Sequence, residues 1–242
     1  MFVPKAFRLD DRRQIAAVIE AFNFGLLITA PDGAAQASHL PFLYDPAPNP
    51  DGGPEGTLLA HLARANPQWR DFEALAARGQ HALAVFQGPH SYISPTAYGG
   101  GPPTVPTWNY VAVHAYGTPR IVDDPLALRG MLDRLVALHE DGARQPWSTQ
   151  GLEDGFMTAM MRGVVAFEIP VARLEAKAKL SQNKKPEQLA AATAVLETAE
   201  DPLARQTGAW MRAAHRRLEE KVRSEHDAKR EPKPEQGAEG PG

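Results

Sequence analysis

Leu58-Leu59-Ala60-His61-Leu62-Ala63-Arg64-Ala65-Asn66-Pro67-Gln68-Trp69 is the stretch on which the reading of this chain turns. Gly56 to Ala63 is a short apolar run of strand length, and it leads straight into Asn66 and Pro67. Asn suits a helix N-cap, and Pro suits the first helical position, where no backbone N–H is needed. Beyond them Trp69, Phe72, Leu75 and Ala76 share one apolar face, and Gly79 ends the helix. A strand therefore feeds directly into a capped helix.

Upstream, Phe24 to Ala30 and Ala37 to Asp45 read as two strands of a hairpin around the turn Pro31-Asp32-Gly33, and Pro46 to Gly56 is a Pro- and Gly-rich surface loop. Asp10 or Asp11 caps a first helix carrying Ile15, Val18, Ile19 and Phe22 at helical spacing, with Gln14 placed to complete a capping box. Downstream, His81 to Gly88, Ser91 to Ser94 and Thr107 to Val122 read as strands, with the flexible Tyr98 to Pro103 between the last two. A helix follows over Pro125 to Glu140, a shorter one over Leu152 to Arg162, and a last strand over Gly163 to Val171. The pattern predicts a mainly β chain with flanking α-helices (α+β), about six strands, enough for one small antiparallel barrel.

The predicted layout is one domain over 1–185, C-terminal helices over 186–222 and a tail over 223–242. From Ala213 onward seven basic residues meet seven acidic ones, so the end is a balanced polyampholyte. Glu231-Pro-Lys-Pro-Glu-Gln-Gly-Ala-Glu-Gly-Pro-Gly242 has no apolar side chain larger than Ala, and disorder is expected there.

Composition narrows the function classes. The net charge of -3 offers no field for nucleic acid or an anionic membrane. The absence of cysteine removes disulfides, thiolate metal sites and a cysteine nucleophile, and points to a cytoplasmic protein. No run approaches the roughly 18 apolar residues of a membrane helix, and the first residues carry no apolar leader. The eight histidines show no metal-ligand spacing, and no nucleophile elbow, P-loop or dinucleotide fingerprint is present.

Three clusters could carry chemistry. In the opening stretch, Arg64, the Asn66 side chain and the N–H groups of the first helical turn have the makings of an anion site. Taken alone, it is read more simply as a helix cap beside a solvated arginine, with His61 filling an edge position. The second, Phe86 to Tyr98 with Val105 to His114, interleaves aromatics and small hydroxyls as a flat ring ligand requires, but those residues equally suit strands packing a core. The third, Lys179-Leu180-Ser181-Gln182-Asn183-Lys184-Lys185-Pro186, is a polar loop before a helix, able to serve as a lid of donors or as an ordinary connection.

Together, Met1-Phe-Val-Pro-Lys-Ala-Phe7, Ser38-His39-Leu40-Pro41, His61 to Pro67, Gly88 to Pro95, Val105-Pro106-Thr107-Trp108-Asn109-Tyr110 and Lys179 to Asn183 resemble the PaiB family, in one order over residues 1 to about 212. The resemblance implies a six-stranded antiparallel split β-barrel of the FMN-binding type, with C-terminal helices, working as a homodimer with FMN at the subunit interface. It implies cofactor contacts from Ser38, His39, Leu40, His61 and Leu62, with Arg64 and Asn66 nearest the phosphate. Thr107, Trp108 and Asn109 would line the ring side, and Lys179, Ser181, Gln182 and Asn183 would form the lid. Catalytic residues are not indicated and no metal is implied. Thr96-Ala97-Tyr98 departs from the Ser-Trp-Tyr typical of the family. The family carries the label of negative transcriptional regulator, which makes a flavin-dependent sensor the first expectation. Without a helix-turn-helix or a basic patch, direct DNA contact is not expected. The alternative is an enzyme of the same fold: an FMN-dependent oxidoreductase or flavin reductase using NAD(P)H on a small molecule, or a haem-binding protein.

Overall fold

Asp11 starts the first helix. Its carboxylate accepts the backbone N–H groups of Arg13 and Gln14, and Gln14 Nε2 donates to the same carboxylate instead of reaching the Asp11 backbone. Helix α1 (Arg12–Ala21) then buries Ile15, Val18 and Ile19 on one face. The computed structural model describes all residues except 52, 101–103 and 229–242, with residues 218–228 as backbone only. The chain divides into two compact units, Met1–Gly88 with Tyr110–Lys179, and Pro89–Asn109 with Leu180–Gly242.

The first unit holds the barrel. β1 (Phe24–Thr29) pairs antiparallel with β2 (Gln36–Pro41), Phe24 opposite Pro41 and Thr29 opposite Gln36. Phe42 breaks the second strand, turning its N–H to the Asn23 carbonyl. The chain resumes as β3 (Leu43–Asp45), which pairs with β4 (Thr57–Ala63). With β5 (Ala82–Ile93), β6 (Thr107–Gly117) and β8 (Val164–Lys179), the ladder runs β2-β1-β5-β6-β8-β4-β3. Because only Phe42 separates β2 from β3, the ladder begins and ends on one bent segment. That is an antiparallel split barrel. β7 (Arg120–Ile121) pairs with β8 off this path.

Among the described residues there are eight strands where the seven strand-like runs suggested about six. Phe42 cuts one expected strand in two, β7 is separated from β6, the two runs over 81–94 are continuous as β5, and the last strand extends from Val171 to Lys179. β8 owes its reach to a bend at the register shift beside Tyr116 and Gly117, where it changes from pairing β6 to pairing β4. A Cβ at Gly117 would lie 2.1 Å from the Pro170 carbonyl oxygen, so the crossing admits only glycine.

Inside, Phe42 meets Phe86 edge-on at 5.3 Å and Phe72 tilts against Phe167 at 5.0 Å. Emptying such a site costs about 3–5 kcal/mol. On β4, Leu58, Ala60 and Leu62 point inward, and Leu59 and His61 point out. α3 (Pro125–Glu140) covers that outer face. The Asp124 carboxylate accepts the N–H groups of Leu126 and Ala127 at its start, and Met131 and Leu135 pack on Leu43 and Ala166, flanked by Leu59 and Leu132. α2 (Asp71–Ala77) and α4 (Asp154–Arg162) complete this unit.

The second unit contains a 3-10 turn (Pro95–Tyr98), α5 (Pro186–Glu197) and α6 (Pro202–Ala228). α5 and α6 approach closely at Gly208, where a Cβ would stand 2.8 Å from the Glu197 side chain, and Glu197 accepts from Arg212. α6 continues six residues beyond the 222 at which the C-terminal helices were expected to end. The rest of the expected tail, 229–242, lies outside the described residues. Among the described residues no helix is long and apolar enough to cross a membrane.

Candidate functional site

On the barrel, Asn66 does two things. Its carbonyl oxygen accepts from the Gln68 N–H as an N-cap, and its amide donates to Ser38 Oγ at 2.8 Å. The helix start is thereby tied to β2, a strand most of whose side chains are open to solvent. Below this bridge Gln68 is buried, and its Nε2 donates to the Leu27 and Gln36 carbonyls and to Thr29 Oγ1. Thr29 Oγ1 in turn donates to Asp71 at 2.6 Å. Gln68 Oε1 has no partner.

His61 faces outward beneath α3. It lines a cavity of about 360 Å³ with Pro41, Leu132, Leu135, His139, Glu140 and Trp147. Its Nδ1 is buried without a hydrogen-bond partner. Burial pushes the imidazole below its usual range, favouring the neutral ring. The cavity falls within the size range of small-molecule sites. His39, also open to solvent, stacks against the exposed Phe24 with ring centroids 6.1 Å apart. Leu40 and Leu62 are core residues, so only their backbone is available to a ligand.

Arg64, expected nearest the phosphate, holds backbone carbonyls. Its Nε donates to the Arg162 carbonyl and an Nη to the Val164 carbonyl, each at 2.8 Å, and its own N–H reaches the Gly163 carbonyl. The guanidinium clasps the junction between α4 and β8. The indole N–H of Trp69 donates to the Arg64 carbonyl and fixes the turn from the other side.

In the second unit, Asn109 is fully buried, and its amide donates to Ser181 Oγ at 2.8 Å and to Met211 Sδ at 3.3 Å. Tyr98 and Ser181 share a 2.5 Å hydroxyl contact. Ser181 has a φ of 65°, a left-handed conformation rare outside glycine, so the triad holds it against its backbone preference. Tyr98 and Met211 belong to this cluster although sequence reasoning did not group them. No local pattern links positions so far apart. Trp108 is half-exposed, with Tyr92 edge-on and His90 tilted against it, both at 6.1 Å. Thr107 begins β6, Gln182 accepts from the Leu180 N–H, Asn183 is exposed, and Lys179 ends β8 opposite Tyr110 in the first unit. Burial lowers the Lys179 ammonium from its usual value. The structure thus brings Ser38 and Asn66 together in one unit and Asn109 and Ser181 in the other.

The residues of the barrel suit a flavin. An unpartnered imidazole nitrogen in a largely apolar cavity provides a polar contact for a ring edge, and a hydroxyl and an amide on an exposed strand provide donors for a polar chain. Among the described residues no group of three or more His, Asp or Glu could hold a metal ion.

Comparison with known proteins identifies the family and the fold. The family described as "Putative FMN-binding domain" matches residues 1–173. The Bacillus subtilis (strain 168) protein named protease synthase and sporulation protein PAI 2 is 33% identical over 212 residues, covering 87% of this chain and 96% of that protein. An uncharacterized protein of Emericella nidulans is 31% identical over 173 residues, 61% of this chain and 69% of that one. Among solved structures, a flavocytochrome from Azotobacter vinelandii matches with a TM-score of 0.52 at 13% identity, covering 76% of this chain and 75% of that one. An FAD- and haem-binding protein from Mycobacterium smegmatis matches with a TM-score of 0.50 at 14% identity, covering 76% and 79%. At such identities these two structures speak for the fold alone. From the family match and the relative that spans nearly its whole length, this chain belongs to the FMN-binding PaiB family, built on an antiparallel split barrel with FMN as its cofactor.

Proposed function

We propose that the chain is a flavin-dependent sensor of the PaiB type, cytoplasmic and homodimeric, with FMN reaching into the cavity between β2, β4 and α3. The observation that carries this reading is the orphaned Nδ1 of His61 in the cavity bordered by Pro41 and Trp147. His61 would contact the ring, Pro41 and His39 would border it, and Ser38 and Asn66 would bind the ribityl phosphate end. FMN supplies one- and two-electron redox chemistry at its ring, and the protein supplies position and electrostatics. Repression would then follow from the flavin state through a protein partner, because the net charge of -3 gives the chain no purchase on DNA.

A second reading, an FMN-dependent oxidoreductase using NAD(P)H, is favoured by the half-exposed Trp147, which leaves that cavity open to solvent on one side. The absorbance spectrum of purified protein titrated with FMN tests both. Saturable binding with flavin bands is expected, a colourless protein that ignores FMN overturns the cofactor assignment, and a Soret band would replace FMN by haem. Bleaching by NAD(P)H without oxygen would move the conclusion from sensor to enzyme. A mobility shift on DNA at low salt would overturn the indirect route.

A further inference from the structure

A second cavity, of about 410 Å³, opens in the barrel unit on the side of β7, α3 and α4. Its floor is apolar, made by Ile121, Val122, Leu128, Met161 and Val165. Arg64, Arg162 and Asp123 also line it. Two cations against one acid leave a net positive lining.

The walls are held in place before any ligand arrives. Arg64 is fixed by its two carbonyl acceptors, and of its five N–H donors those not engaged there stay available to an anion. Trp69, which lines the cleft as well, is fixed through its indole N–H, and the Arg70 guanidinium sits 4.9 Å from its ring centroid. Such fixed walls lower the ordering cost of binding. Met161 adds an adaptable thioether surface to the floor. Ile121 remains 40% exposed, a β-branched apolar side chain left facing solvent on a strand.

An apolar floor with a cationic lining fits one ligand chemistry. We propose that this cleft is a binding site for a small aliphatic or aromatic monocarboxylate, its apolar body on Ile121, Leu128 and Met161 and its carboxylate on Arg162 and the outward N–H groups of Arg64. The site is separate from the His61 cavity, which shares none of its lining residues. It gives a sensor an input besides flavin, and it does not depend on FMN being bound.

Calorimetric titration of the full chain with octanoate, and with octanol as the uncharged control, tests the proposal. Saturable octanoate binding is expected, with octanol about twofold to fivefold weaker, the effect of charge pairing at an exposed site. Arg162→Gln should shrink that preference to what Arg64 alone provides, and Leu128→Trp, which fills the floor, should abolish binding of both compounds. Absence of saturable octanoate binding, equal affinity for the two compounds, or binding that survives Leu128→Trp overturns the site. A preference undiminished in Arg162→Gln overturns the anchor assigned to Arg162. Circular dichroism of each variant separates lost binding from lost folding.

Discussion

Two polar clusters in this chain are built from the same kinds of residue and do opposite things. Tyr98, Asn109 and Ser181 are buried, and each is hydrogen-bonded within the cluster. Ser38, Asn66 and His61 are only partly buried, and the His61 Nδ1 has no partner. A network that closes on itself has nothing left to offer a ligand and acts on stability. An unpartnered ring nitrogen beside a cavity, as on His61, costs stability until something fills it. Both clusters come from stretches that resemble one cofactor-binding family, so resemblance alone does not separate scaffold from site.

The strongest test removes the closed cluster. Asn109→Ala leaves the Ser181 hydroxyl and Met211 without their shared donor, and should lower unfolding free energy by about 3 kcal/mol in denaturant melts. Its FMN affinity per folded molecule should stay unchanged. A variant of normal stability with lost FMN affinity would collapse the distinction between the two clusters.

Arg64→Ala comes next, because it opens the clasp on the Arg162 and Val164 carbonyls at an exposed position. A loss of about 1–2 kcal/mol is expected. Arg64→Lys should recover less than half of it, since an ammonium cannot span both acceptors as the planar fork does. Full recovery with lysine would mean that only the charge matters.

Ser38→Ala should sharpen the contrast from the other side. FMN affinity should fall about tenfold while the thermal midpoint shifts by no more than about 2 °C, because the hydroxyl sits on an open strand. An unchanged affinity would move the phosphate end elsewhere.

The smallest effect is a pH dependence. Burial holds the folded-state His61 below the ordinary imidazole value, so the unfolded chain takes up its proton first as pH falls. Stability from this group is present above the ordinary value near 6.5 and is lost as pH drops from there to the lowered one. His61→Gln should flatten that part of the curve, and saturating FMN should also change it if the ring contacts Nδ1.

What was legible in the sequence followed from local chemistry. Asp11 and Asn66 cap where their side chains announce it, and the hairpin around Pro31-Asp32-Gly33 has the expected pairing. The sequence predicts separate strands over His81 to Gly88 and Ser91 to Ser94, yet β5 runs through Gly88, where a Cβ would lie 3.0 Å from Val111 Cβ, so the glycine serves close strand packing. The sequence predicts the last strand only to Val171, whereas β8 continues to Lys179 through its pairing with β6, although Ala172 to Lys179 mixes small and charged residues. At the candidate site, Asn66 was legible because capping is a short-range act. The occupation of Arg64 by carbonyls a hundred positions downstream was not, since nothing near Arg64 in the chain encodes its acceptors.

The single bent segment from Gln36 to Asp45 closes the barrel only when β8 is in place, and β4 must wait for a partner such as Ala166 opposite His61. During synthesis the ribosome adds those hundred-odd residues over roughly 5–20 seconds. Throughout that interval the outward edge of β4 is unpaired, an invitation to wrong neighbours. Slower translation of residues 64 to 164 lengthens the time for which that edge stands open.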